Sequence, residues 1–319
     1  VVVKAQDTLF IGGDSPVNTT IVSEIANNPD KVYVLKRGVR YYLNGVIESG
    51  DWHLRIIGET EPADLPPAII QPKVDEGANA PDYGIVAESD VTIKNIYFLN
   101  EPYGGREARG AMNTKGSKKR IEVDNCIFDY GFHIAIRNDG SLSSYFVTNS
   151  VFKNIAFWNN ISNGKGFSIR QVEIGLDSIV FENCTFTNMN NLMSGWGSSV
   201  KYYKFNHNTV FNLMKLPNEV SEHCVEMEVS NNIFYNVGVI GHYDNPAGGF
   251  HGLVSYPGVT DTVDLKMGWF RILEDLRPDT IFAEDGTIEY LFAEQNRKIN
   301  WTNNSVFFGD KLVNFWDTS

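Results

Sequence analysis

"FENCTFTN" at residues 181–188 is the stretch on which the fold turns. Related stretches occur at 123 ("VDNCIFDY"), 147 ("VTNSVFKN"), 206 ("NHNTVFNL") and 229 ("VSNNIFYN"). Aligned on the phenylalanine, the motif has its hits at Phe98, Phe128, Phe152, Phe186, Phe211, Phe234 and Phe307. Asn95, Asn125, Asn149, Asn183, Asn208, Asn231 and Asn304 precede them by three. Asn100, Asn154, Asn188 and Asn236 follow their Phe by two. Gaps between successive Phe residues are 30, 24, 34, 25, 23 and 73.

The residues before each Asn alternate, as in "VTIKN", "IEVDN" and "IVFEN". Alternation is the mark of a half-buried strand, and Val, Ile, Phe and Thr favour strands. After each Asn comes another strand-like piece, such as "IYF", "CIF" or "CTF". Each unit therefore reads as strand, Asn corner, strand, variable segment. A short period built of several strands is the signature of a solenoid. Helical repeats lack support because no helical periodicity fills the units. Propeller blades need about 40 residues and tight hairpins. The expected fold is all-β: a parallel β-helix with three strands per coil.

In that fold the Asn has a physical task. Coils stack about 4.8 Å apart, so an Asn at one corner can hydrogen-bond the Asn of the next coil. Asn also tolerates the left-handed backbone of a sharp corner. A buried, self-satisfied Asn ladder is the expectation, with the Phe side chains stacked inside. Cys126 and Cys184 fall at one repeat position two coils apart, about 10 Å, beyond disulfide reach. With Cys224 the cysteines number three, an odd count that builds no disulfide framework.

Residues 1–319 read as one domain. Residues 18–28 ("NTTIVSEIANN") read as a capping helix with Ile21, Val22 and Ile25 inward, hiding the open end of the core. Residues 60–82, rich in Pro, Ala, Asp and Glu, read as a surface loop. The motif lapses over 241–298, an insertion or irregular coils in which "MGWFRILEDLRP" has helical character. There is no initiator Met and "VNFWDTS" ends abruptly; the expectation is a chain cut from a longer one or following a removed leader.

Apolar residues make up 42% and charged residues 21% of the 319, a globular balance. No apolar run reaches the roughly 20 residues of a membrane span. The net charge of −12 argues against a nucleic-acid binder, which needs a basic face.

"VYVLKRGVRYYL", "LRIIGE" and the coils of V-x-N-x-x-F-x-N resemble the pectate-lyase-like parallel β-helix superfamily, nearest to its alginate lyase and chondroitinase B group and to related secreted proteins of polysaccharide-utilising bacteria. The resemblance covers most of the chain. It implies a right-handed, single-stranded β-helix, a monomer, an extracellular or cell-surface location and a polysaccharide partner. It also implies that the segment after each Phe leads into the strand whose outer face floors the substrate groove. Here these are "GAMNTK" (110–115), "FHIAIRND" (132–139), "GFSIRQVE" (166–173), "NLMSGWG" (191–197) and "VGVIGHYD" (237–244).

The resemblance then makes Arg137, Arg170, His133, His242 and Tyr243 candidate catalytic residues. Trp196, Glu173, Lys115 and Arg109 become candidates for substrate binding, with Arg106 at an edge. Arg or Lys can neutralise a uronate carboxylate and so acidify the C5 proton for a base. The plainer alternative for Arg170 is an ion pair with Glu173, and for Arg137 one with Asp139. Calcium is the one cofactor the resemblance implies. The chain departs from the family there: "NNLMSGWGSS" has neither the acid nor the Lys of the family pattern, and Glu226 with Glu228 does not by itself define a calcium site. Two functions follow as expectations. One is a polysaccharide lyase acting by β-elimination on a uronate glycan. The other is a non-catalytic glycan-binding or adhesin-type β-helix with exposed aromatics such as Tyr103. A hydrolase ranks third, because Asp139, Glu173 and Asp244 are dispersed and hydrolysis needs a carboxylate pair.

Overall fold

The computed structural model describes residues 7–13, 15–73, 80–101, 108–156, 163–170, 175–195, 198, 200–214, 224–237, 279–282, 288–291 and 298–313. The chain winds into three parallel sheets, here A, B and C, of ten, ten and six strands. One representative coil runs from Arg120–Asp124 in sheet A to Ile127–Asp129 in sheet B and Ile134–Asn138 in sheet C. The next repeats it as Ser144–Thr148, Val151–Lys153 and Lys165–Ile169. This is the expected parallel β-solenoid with three strands per coil.

The corner between sheets A and B is a left-handed residue in coil after coil: Asn95, Asn125, Asn149, Asn183, His207, Asn231 and Asn303, with φ between 51° and 59°. An ordinary side chain pays about 1–2 kcal/mol there, and Asn less. The residue three positions after each corner points inward. Thus Phe98, Phe128, Phe152 and Phe186 stack face to face, with centroids 5.1, 4.7 and 4.9 Å apart. Burying each ring contributes about 1.5–3 kcal/mol.

Two motif hits are out of register by one residue. Val210, not Phe211, lies over Phe186, and Val306, not Phe307, lies over Phe234. The left-handed corners there are His207 and Asn303. Asn208 and Asn304 belong to the next column, where Asn208, Asn232 and Asn304 form an amide chain, buried at Asn208 and Asn232 and half-buried at Asn304: Asn232 Nδ2 donates to Asn304 Oδ1 at 2.8 Å and the Asn208 N–H to Asn232 Oδ1 at 2.7 Å. Cys126, Ser150 and Cys184 occupy this column in earlier coils, and all three cysteines are buried and in no disulfide.

The single buried Asn ladder is also corrected. Side chains of Asn125, Asn149 and Asn183 are exposed. They pair as Asn125 to Asn95 at 2.8 Å and Asn183 to Asn149 at 3.4 Å, while Asn149 donates to Asp124 Oδ1 at 2.7 Å. The longest amide run lies at the other corner, between sheets B and C. Asn236 donates to Asn212, Asn212 to Asn188, Asn188 to Asn154 and Asn154 to Asp129, at 3.4, 3.1, 3.3 and 2.9 Å. These four asparagines are left-handed too.

A helix over Ile21–Asn27 seats Ile21 and Ile25 in the core. Asn18 Oδ1 accepts from the N–H groups of Thr20 and Ile21 at its start. The expected loop at 60–82 contains a strand, Ala68–Pro72, paired in sheet B between Arg40–Leu43 and Ile96–Leu99. Its alternation is masked by flanking prolines. Within 241–298, the described residues are an antiparallel pair, Asp279–Phe282 with Ile288–Leu291, and Lys298, which opens a sheet A strand; "MGWFRILEDLRP" lies outside the described residues. No helix among the described residues is long and apolar enough to cross a membrane.

Candidate functional site

Sheet C differs from A and B in one respect. Its strands Gly110–Thr114, Ile134–Asn138, Lys165–Ile169 and Asn191–Ser194 are buried on both faces. Those inward, such as Met112, Ile136 and Phe167, are apolar core. Outward, one register row holds Asn113, Arg137, Ser168 and Ser194. A sheet face withdrawn from water while carrying this much polarity needs partners for it.

Arg137 finds one. Its Nε donates to Asp139 Oδ1 at 2.8 Å, and Asn113 Nδ2 donates to Asp139 Oδ2 at 3.0 Å. The guanidinium carbon lies 5.9 Å from the centroid of the Tyr83 ring. Burial works against the Arg137 charge, but Asp139 and Tyr83 outweigh it and hold the pKa above its usual range. Tyr83 is itself buried, which raises its phenol pKa despite the neighbouring cation; it is a protonated hydroxyl at neutral pH.

The leading edge of the sheet adds a second group. The N–H groups of His133 and Ile134 donate to the Arg109 carbonyl, and those of Gly164 and Lys165 to the His133 carbonyl. This stacks Arg109, His133 and Gly164 on successive coils and sets Lys165 one residue further on, in register with Ile134. Arg109 is exposed and its Nε meets Asp82 Oδ1 at 3.2 Å. Lys165 is buried. Burial first, then the charges of Arg109, Lys165 and Arg137, push the His133 imidazole down to about 4. His133 is therefore neutral at physiological pH and able to accept a proton. Gly110 lets the coils close here: a Cβ would fall 1.6 Å from the Ile134 carbonyl oxygen and 3.0 Å from Tyr83 Cε1.

Four buried polar atoms of this sheet and its leading edge make no hydrogen bond of good geometry: Tyr83 Oη, Asn113 Oδ1, His133 Nδ1 and Asn191 Nδ2. Only two other side-chain atoms among the described residues, on Arg37 and Thr187, share that state. Concentration of unmet capacity on one sheet is what a site for a polar ligand or ordered water looks like.

Of the candidates read from the sequence, Arg137, His133 and Arg109 come together here. Lys115 follows the strand Gly110–Thr114 and is exposed. Arg170 is also exposed, at the end of Lys165–Ile169, where its N–H donates to the Asn138 carbonyl. Glu173, Trp196, His242, Tyr243, Arg106, Tyr103 and Asp244 lie outside the described residues. Of "VGVIGHYD", only Val237 is described, and it ends a sheet B strand. The sequence reading missed Tyr83, Asn113, Lys165 and Asn191. Asn113 was within reach, because alternation in "GAMNTK" puts it on the face of Arg137.

Calcium does not fit the described residues. No group of three or more His, Cys, Asp and Glu side chains gathers among them, and calcium takes six to eight oxygens. Asp82 and Asp139 are each held by a guanidinium. Glu226 and Glu228 share a face of sheet A, away from sheet C.

The fold defines the class: a three-sheet parallel β-solenoid. Compared with known proteins, the chain matches no protein-family model and no curated protein.

Proposed function

We propose that this is a secreted, carbohydrate-active β-solenoid that binds a uronate-containing glycan along sheet C and cleaves it by β-elimination. The observation carrying this reading is the union, on one sheet, of three cationic side chains, a neutral His and a protonated Tyr with unmet hydrogen-bonding capacity. In the reaction a cation set among Arg109, Arg137 and Lys165 offsets the uronate carboxylate, which acidifies C5–H. His133 accepts that proton. The electron pair forms the C4–C5 double bond as the C4–O bond breaks, and the Tyr83 hydroxyl protonates the departing oxygen.

A second reading is supported by the ion pairs. Arg137 and Arg109 already hold Asp139 and Asp82, which suits binding of a glycan without turnover. Incubation with alginate, pectate and chondroitin, read by the ultraviolet absorbance of unsaturated uronate, tests the first reading; retention on the same polymers without product supports the second.

A further inference from the structure

Away from sheet C, the outer face of sheet B carries a row of aromatics on three successive coils. Phe211, Tyr235 and Phe307 pair in register, about 4.8 Å from strand to strand. Tyr235 is 40% and Phe307 54% exposed, although the sheet positions of the same row in earlier coils hold Thr187, Lys153 and Asp129. Beside the row lies an open cavity of about 830 Å³, a size ordinary for small-molecule sites. Among the described residues, Tyr235, Met214 and Leu312 give it apolar walls, and Asn212 and Asn236 give it amides.

Those amides are held in place. Each donates one N–H along the run, Asn236 to Asn212 and Asn212 to Asn188, and Asn236 Oδ1 accepts from the Gly309 N–H at 2.7 Å. An amide nitrogen has two hydrogens, so among the described residues each Asn keeps one donor for a ligand in a geometry already fixed by the fold. Among the described residues, the charges lining the cavity are Asp310 and Lys311, one of each sign, so these residues favour no net charge on a ligand.

We infer that this surface is a second carbohydrate site, one that takes a neutral glycan. A pyranose ring presents an apolar C–H face to an aromatic side chain and hydroxyls to amides, and no charged group is needed. The site is displaced from the Arg137 coil: the Asn212 corner lies three coils beyond that of Tyr130, about 14 Å along the axis. The inference rests on the reading of the protein as carbohydrate-active, but not on elimination. A protein so built would hold a neutral chain on one face and work on an acidic one on another.

The test is calorimetric titration of the whole chain with cellohexaose, mannohexaose, xylohexaose and laminarihexaose, beside a uronate hexasaccharide. The variants are Tyr235→Ala and Tyr235→Thr. Thr already occupies this register position at Thr187, so Tyr235→Thr keeps the strand if Ala does not. At least one neutral hexasaccharide is expected to bind, about tenfold more weakly to both Tyr235 variants. No binding of any neutral probe overturns the inference, as does binding that survives Tyr235→Thr. A dimer in sedimentation velocity that Tyr235→Thr dissociates would assign the face to a second copy and overturn it too. Elimination is read separately, from unsaturated product, so its failure leaves this result interpretable.

Discussion

Arg137 and Asp139 sit two residues apart on one strand end, and their side chains meet at 2.8 Å with only 11% and 23% of their surface in water. The pair is therefore more than a surface decoration. Removing one partner leaves a largely buried charge. Asp139→Asn should lower the unfolding free energy by about 3 kcal/mol, measured by chemical denaturation. A loss no larger than that of an exposed pair would mean that water reaches Arg137.

The core register predicts a contrast between neighbours. Phe152→Ala removes a ring from the middle of the stack and should cost about 3–5 kcal/mol. Val210→Ala should cost about 2 kcal/mol, whereas Phe211→Ala, on the outer face, should change stability by less than about 0.5 kcal/mol. Thermal or denaturant unfolding of the three variants reads this directly. A Phe211→Ala penalty as large as that of Phe152→Ala would restore the unshifted register.

The corner asparagines act chiefly through their backbone. Asn183 has φ 55° and an exposed side chain. Asn183→Ala should cost about 1–2 kcal/mol from left-handed strain, and Asn183→Gly distinctly less. Equal losses in the two variants would transfer the role to the amide.

His133 makes stability depend on pH. Its pKa is about 4 in the folded chain against 6.5 for an unperturbed imidazole. Between those values the unfolded chain binds more protons, so stability falls as pH drops from the upper value through the lower. His133→Gln should flatten the slope in that window, followed by denaturation midpoints across pH. An unchanged slope would show that His133 titrates normally.

How much of this was legible in the chain depended on how local the cause was. The strand–Asn–strand unit needs only its own residues, so solenoid and corners could be read from alternation and Asn spacing, whereas sheet C strands such as Ile134–Asn138 followed from the family resemblance. Register failed at 207–211 because adjacent columns both favour Asn for different reasons. The first wants a left-handed residue, here His207; the second wants a buried amide, here Asn208. Asn208 and Phe211 then reproduce the motif one residue late. Tyr83 left no local sign. Its place depends on Gly110 and Arg137, one and two coils further on, so only stacking brings it to the site.

The central claim is that sheet C carries out elimination on a uronate glycan. The most direct measurement is the appearance of unsaturated uronate product from alginate, pectate or chondroitin, with wild type compared with His133→Ala and Tyr83→Phe. The account predicts product from at least one polymer. It also predicts a loss of about 100-fold or more in kcat for each variant, with folding retained. No product from any of the three across the pH range, or product undiminished in both variants, would contradict it.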